Sequence, residues 1–338
     1  MSLKILAFTR YSEKGASSRL RINQYVNPLK SHDIFVTLSP LFNDSYIERL
    51  YSGRSKSYVG VAFAYIHRIG ALFSIMKYDI ILIEKELFPN IPGIFEYLIH
   101  LMGKAYMVDY DDAIFHCYDQ SDSIYMRFLS KKIDKIMSRA SMVICGNDYL
   151  AARASSANAK NIQVIPTVVD TKKYEASVVN SNSQIIIGWI GTPSTVHLLE
   201  IVRSSLEALN KDFNFVLFVI GAKFSSDIFK VECIKWSDNT EIKSIKAIDI
   251  GIMPLSDGLF ERGKCGYKLI QYMACAKPII ASPVGINEKI INESGAGFLA
   301  KDDEWVKYLS VLCLTKKLRT DYGEMGKLHV EKKYSLDG

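Results

Sequence analysis

Residues Asp249 to Gly285 read DIGIMPLSDGLFERGKCGYKLIQYMACAKPIIASPVG. In order they spell a strand, a glycine-bearing loop, a short helix and a second strand, the arrangement that carries a nucleotide-phosphate site in open α/β sheets. Ile250, Ile252 and Met253 form an apolar run stopped by Pro254, and Gly258, Gly263 and Gly266 keep side chains out of the turn that follows. The spacing predicts a helix start near Gly266. Its first turn leaves backbone N–H groups pointing outward, and Lys264 and Lys268, four apart, stand beside that positive end. That is a seat for a diphosphate; the plainer reading is a solvated lysine pair on a surface loop.

Working outward, the chain repeats this rhythm twice. Leu3–Phe8, Ile34–Leu38, Tyr78–Ile83, Ala105–Val108, Met142–Cys145 and Ile162–Ile165 read as strands of a first half. Ile185–Ile190, Phe215–Ile220, Ile250–Met253 and Gly297–Leu299 belong to a second. Between the halves, residues 172–184 are polar and rich in serine and asparagine, a linker. Two runs of strand and helix imply two Rossmann-like doubly wound α/β domains, 1–171 and 185–315, with a terminal helix at 316–338. At 338 residues and 49% hydrophobic content the chain can bury a core in each.

Lys plus Arg outnumber Asp plus Glu by 22 to 17 over residues 1–175 and by 20 to 19 over the rest. The positive excess of the first half suits an anionic membrane surface or a phosphate-bearing acceptor, or is a generally basic surface. No feature points to nucleic acid. Six scattered cysteines without a CxxC pair read as reduced thiols of a cytosolic protein. The apolar run at the amino terminus is too short for a signal peptide. Ser57–Met76, the longest apolar stretch, carries His67 and Arg68 near its middle. It therefore reads as an amphipathic helix, buried in the domain or lying at a membrane interface, and not as a span.

Several loops carry candidate chemistry. After the first strand, Ser17 or Ser18 marks a helix start, and Arg19 and Arg21 follow where a doubly wound sheet faces its ligand; only Gly15 is present, so the dinucleotide fingerprint is not met. Glu84, Lys85 and Glu86 end the third strand. Asp109, Asp111 and Asp112 end the fourth, three carboxylates that repel one another unless positive charge or donors are supplied. Asp-x-Asp is also compatible with a metal-dependent transferase or an aspartyl phosphatase, and Asp112 with a helix cap. Arg127–Arg139 reads as a basic helix with Phe128, Ile133 and Ile136 inward. In the second half, Gly191 and Thr192 fall in the first loop, where Thr192 or its neighbouring amide can contact phosphate or cap a helix. Trp236 and Glu241 are candidates beside them, with Trp236 better read as core.

The central stretch resembles the C-terminal signature of the retaining glycosyltransferases of family 4 (group 1), whose pattern ends in a helix like EAMACGKPVIAS where this chain has QYMACAKPIIAS. VDYDDAIF at Val108, GNDYLA at Gly146, IPTVVDTKKY at Ile165, GWIGTPST at Gly188 and DIGIMPL at Asp249 resemble, in order, a bacterial subgroup of that family. The resemblance implies a GT-B fold, two such domains facing a cleft, the terminal helix crossing back to the first domain, and transfer of a sugar from a nucleotide diphosphate to a hydroxyl of a glycan or lipid-linked acceptor with retention. It implies a nucleotide-sugar donor, no obligatory metal or other cofactor, and work in surface-polysaccharide synthesis in the cytoplasm, peripheral to the inner membrane face. Donor contacts then fall on Lys264, Lys268, Gln271, Gly191, Thr192 and Gly266, catalytic ones on Asp111, Asp112 and Glu261, and the acceptor or phosphate side on Ser18 and Arg19. Two signature glutamates are replaced, by Gly263 and Gln271. Gln271 can still hydrogen-bond a ribose through its amide, Gly263 offers no side chain, and Glu261 is the nearest substitute. A non-catalytic sugar-nucleotide-binding relative is the alternative outside enzymes.

Overall fold

Parallel strands covered on both faces need continuous apolar runs, and these runs set the architecture. The computed structural model describes residues 2–51, 57–174 and 184–337. It divides into two units, Met1–Thr167 with Arg262–Cys265, and Val168–Glu261 with Gly266–Gly338. Each holds a six-stranded parallel sheet with helices on its faces.

In the first unit β1 (Leu3–Tyr11), β2 (Ile34–Phe42), β3 (Ile80–Glu84), β4 (Tyr106–Tyr110), β5 (Met142–Cys145) and β6 (Ile162–Val164) lie in the order β2-β1-β3-β4-β5-β6. In the second, β7 (Ile185–Ile190), β8 (Phe215–Ile220), β9 (Lys230–Ile234), β10 (Ile250–Met253), β11 (Ile279–Ala281) and β12 (Gly297–Leu299) lie in the order β12-β11-β10-β7-β8-β9. Strand order reverses between β1 and β3 and between β7 and β10. Such a switch point opens a crevice at the carboxyl ends of the strands.

Ile81, Ile83, Val108 and Val143 fill the first core; Trp189, Leu217, Ile252 and Trp305 sit in the second. Each buried aliphatic side chain stabilises its unit by about 1.5–3 kcal/mol.

Three local expectations change. The helix after β1 is Ala16–Arg21 with Gly15 at its N-cap and no side-chain cap, so neither serine starts it. The basic segment breaks into two helices, Ile124–Phe128 and Lys132–Arg139; Ile133 and Ile136 are buried, but Phe128 is 82% exposed because the break turns it outward. Asp238–Ala247 is preceded by a further strand, β9. Thr171–Tyr174 forms one 3-10 turn, and the rest of the expected linker, residues 175–183, lies outside the described residues. The terminal helix Lys316–Lys333 groups with the second unit, against the helix Tyr267–Ala274. Among the described residues no helix is long and apolar enough to cross a membrane.

Candidate functional site

The carboxyl edge of the second sheet places the donor-side candidates. Gly266 takes φ +65°, a left-handed conformation that glycine adopts without a Cβ penalty, and so aims the helix Tyr267–Ala274. Lys268 stands in the first turn of that helix. Its ammonium lies over the Trp189 ring, 4.3 Å from the centroid, a cation–π contact at the end of β7. Gly191 follows directly. A Cβ there would collide with the Trp189 ring and come within 3.0 Å of the Lys268 Nζ, so glycine is what lets the loop pass this close to the cation. Thr192 is held locally: its amide donates to the Thr195 hydroxyl at 3.2 Å, and its own hydroxyl pairs with Ser194 at 2.7 Å. The edge therefore combines one cation, a glycine loop and a helix start at the switch point, a combination suited to an anion.

Gln271 faces inward from the same helix. It is buried and its amide donates to Glu241 at 2.8 Å, while the Trp236 indole N–H donates to the other Glu241 oxygen. In this arrangement Gln271 props Glu241. Trp236 is half-buried and packs against the core of the second unit. Glu261 sits on the short helix Leu259–Arg262 with its carboxylate folded over Gly258, where a Cβ would strike it.

The first sheet's edge is denser in charge. Arg21 is buried and grips Asp109 through two bonds, Nε to Oδ2 at 3.0 Å and Nη2 to Oδ1 at 2.6 Å, and donates to the Ile165 carbonyl at 2.7 Å. Burial works against the guanidinium charge, but Asp109 more than offsets it, so the Arg21 pKa is raised. Lys85 reaches Asp111 at 2.8 Å and Asp112 at 3.2 Å. Burial disfavours its charge too, and the carboxylates of Asp111, Asp112 and Glu84 again win, raising its pKa. Asp111 is correspondingly held below the usual carboxylate range: burial pushes it up, but Lys85 and the Ser17 hydroxyl, which donates to it, outweigh that. Glu84 is pushed up by burial; one of its oxygens accepts from the Ser18 hydroxyl at 2.6 Å and the Arg10 amide at 2.7 Å. Behind it Glu86 takes Lys132 at 2.6 Å, Tyr118 at 2.6 Å and Arg10 at 3.2 Å.

This edge supplies internally the positive charge that three aspartates demand. Among the described residues no three His, Cys, Asp or Glu side chains form a metal-ligand group. Asp112 is the most open of the three aspartates, its side chain 30% exposed, with Lys264 at 3.9 Å. Ser18 is fully buried and spends its hydroxyl on Glu84 and the Tyr11 amide; it supports the loop. Arg19 is half-buried beside it.

Residues 262–265 of the central stretch belong to this first unit. The Asn147 amide donates to the carbonyls of Gly263 at 2.9 Å and Lys264 at 3.0 Å, and the Cys265 thiol donates to the Asp111 carbonyl at 3.0 Å. A Cβ on Gly263 would run into Ala113, its backbone nitrogen 2.9 Å away. Glutamate at that position would not fit, a steric reason for the departure from the signature. Sequence reading did not single out Lys85, Arg21 as the Asp109 partner, or Trp189. Lys85 was legible as a cation at the end of the third strand, but its pairing with the aspartates needs the sheet, where β3 and β4 are neighbours.

Residues 185–313 match the family model of glycosyl transferases group 1. The candidate teichuronic acid biosynthesis glycosyltransferase TuaH of Bacillus subtilis (strain 168) is 23% identical over 176 residues, covering 46% of this chain and 44% of TuaH. The alignment thus spans less than half the length of that curated relative. Among solved structures, Anabaena HepE in complex with UDP-glucose superposes with a TM-score of 0.73 at 13% identity, over 98% of this chain and 96% of HepE. WaaG, a glycosyltransferase involved in lipopolysaccharide biosynthesis, does so with a TM-score of 0.71 at 12% identity, over 99% of this chain and 97% of WaaG. At such identities the likeness speaks to the fold, which is of GT-B type with two Rossmann-like domains.

Proposed function

We propose that this protein is a glycosyltransferase that moves a sugar from a nucleotide diphosphate to a hydroxyl of a glycan or lipid-linked acceptor, with retained anomeric configuration, in the synthesis of a bacterial surface polysaccharide. The observation that carries the reading is Lys268, set over Trp189 at the head of the helix Tyr267–Ala274 and against Gly191. Negative charge grows on a departing diphosphate, so a fixed ammonium and helix-start amides aimed there stabilise the transition state more than the ground state. Gly191 and Gly266 complete this seat, while Lys264 belongs to the first unit and stands 3.9 Å from Asp112. Gln271 acts through Glu241. No obligatory metal is needed for this step, because the cations take on that charge.

Asp112 is the carboxylate that binds and orients a sugar hydroxyl; Asp111, fixed by Lys85 and Ser17, holds the loop that presents it. Arg19 faces the phosphate of a lipid-linked acceptor, and Glu261 is a second candidate contact for the donor sugar. Support for the substrate class comes from the group 1 match over residues 185–313 and from HepE, a fold neighbour solved with UDP-glucose. The fold neighbour WaaG and the relative TuaH support a surface-polysaccharide role; the place proposed for it is the inner face of the plasma membrane.

A thermal-shift screen with UDP, GDP, ADP and their sugars tests the reading, since one nucleotide diphosphate should raise the midpoint and Lys268→Ala should abolish the rise. No shift with any of them overturns the donor seat. Turnover of the stabilising donor with a glycan acceptor separates an enzyme from a relative that only binds.

A further inference from the structure

The helix Tyr58–Leu72 is built inside out. Its one arginine points inward: Arg68 is buried, donates to the carbonyls of Thr9 at 2.6 Å and Ser39 at 2.9 Å, and lies over the Phe8 ring. Burial pushes its pKa down to about 9, against the pull of Glu84. Tyr65 also points inward, its ring edge-on to Phe88 and its hydroxyl on the Pro89 carbonyl. With its polar side chain fixed to the sheet, the helix turns Val59, Phe63, Ile66 and Phe73 outward, spaced four, three and seven residues apart, one stripe. Phe63 is 68% exposed and Phe73 86%.

Two neighbouring helices continue the pattern. Phe95 packs on Phe88 at 4.5 Å, and its helix, Ile94–Leu101, leaves Ile94, Tyr97, Leu98 and Leu101 exposed at i, i+3, i+4 and i+7. The Tyr125 hydroxyl bonds the Asn90 carbonyl, and its helix, Ile124–Phe128, exposes Ile124 and Phe128. Three adjoining helices thus present apolar side chains to water, more than scattered surface residues account for.

The charges around this face are mostly positive, with exposed Asp79 and Asp122 at its margins and Lys131 paired with Asp134 at 3.3 Å. Residues 57–78 contain no Asp or Glu. Residues 91–108 contain Glu96 alone, buried and accepting the Leu87 amide; residues 123–140 contain Asp134 alone, paired with Arg153 at 2.7 Å. Lys77, Arg127, Lys131 and Lys135 are exposed. An apolar stripe with a cationic collar complements a lipid surface whose headgroups are anionic and whose acyl boundary is apolar.

We propose that this face docks on an anionic phospholipid bilayer, with Phe63, Ile66, Phe73 and Phe128 entering the headgroup boundary and the lysines and Arg127 meeting phosphates. This deepens the membrane-side placement proposed above and rests on it, but not on sugar transfer. The helices would lie along the surface: the longest of the three, Tyr58–Leu72, has 15 residues, short of the roughly 20 that a span needs.

Flotation with vesicles of equimolar phosphatidylglycerol and phosphatidylcholine, and of phosphatidylcholine alone, tests this. Wild-type protein should float with the first and far less with the second, and salt should weaken it. Phe63→Glu with Ile66→Glu should lower the bound fraction about tenfold or more. Lys131→Glu with Lys135→Glu should lower it on the anionic vesicles while leaving the weak neutral binding unchanged. Both pairs are exposed, and an unaltered nucleotide-induced thermal shift reports that the variants fold. A wild type that stays at the bottom of the gradient overturns the proposal. So does flotation that neither double variant changes, or a wild-type dimer in size exclusion that Phe63→Glu with Ile66→Glu makes monomeric, which would give the face to a second copy. Transfer without flotation defeats only this surface; flotation without nucleotide binding defeats only the donor seat.

Discussion

The two sheets open their switch points in the same way and line them oppositely. The edge of the first is crowded with charge, and its cations and carboxylates bind one another: Arg21 with Asp109, Lys85 with Asp111 and Asp112, Lys132 with Glu86. At the second, one lysine rests on an indole beside a glycine loop and a helix start. A self-compensated network rigidifies a loop and exposes little net charge, whereas a lysine on an aromatic face beside a helix start places positive charge at that edge. In the function proposed, the first edge presents one carboxylate in a fixed place and the second holds charge that arrives with a substrate.

Breaking the first network should cost most. Lys85→Met leaves Asp111, Asp112 and Glu84 without their shared cation, and a loss of about 3–5 kcal/mol in urea unfolding of the first unit is expected; an unchanged midpoint would mean the carboxylates find water instead. Lys268→Ala should leave folding intact and weaken nucleotide diphosphate binding by about 1.5–3 kcal/mol, measured by calorimetry. Should Lys268→Ala destabilise the fold and Lys85→Met abolish nucleotide binding, the contrast is inverted. Asp112→Asn sharpens it further: affinity for the nucleotide should persist while turnover falls about tenfold, the loss of one charge-assisted bond in the transition state.

The smallest effect is in pH. Asp111 is held low, so its contribution is present above its unfolded value of about 3.9 and lost as pH falls through the lower folded value. Lys85 is raised, so its contribution is full below about 10.4 and lost as pH rises through the higher folded value. Glu84, raised by burial, runs the other way and costs stability as pH climbs from about 4.3 towards its folded value. Stability measured against pH should therefore lose less at the acid end in Asp111→Asn than in wild type.

Both sheets were legible because apolar runs of four to six residues report directly on buried parallel strands, and β5, β7, β8, β10 and β12 lie where those runs end. The helix start at Gly266 was legible for the same local reason. Pairings were not. Arg21 and Asp109 are 88 positions apart and meet only because β1 and β4 sit in one sheet. Gln271 was read as able to hydrogen-bond a ribose; its bond to Glu241 depends on where the helix Asp238–Ala247 packs. Arg68 read as a polar interruption, and its inward direction is fixed by carbonyls of β1 and β2 that no local pattern contains.

Gly323 and Gly326 bring the helix Lys316–Lys333 so near that a Cβ on the first would press on the Ala276 carbonyl and on the second against Met273. The helix that carries Lys268 is thus backed by a segment translated well after it. On the ribosome, the flank of that helix around Met273 and Ala276 stays wet until residues 316–333 have emerged, so the chain completes its cation's support late in synthesis.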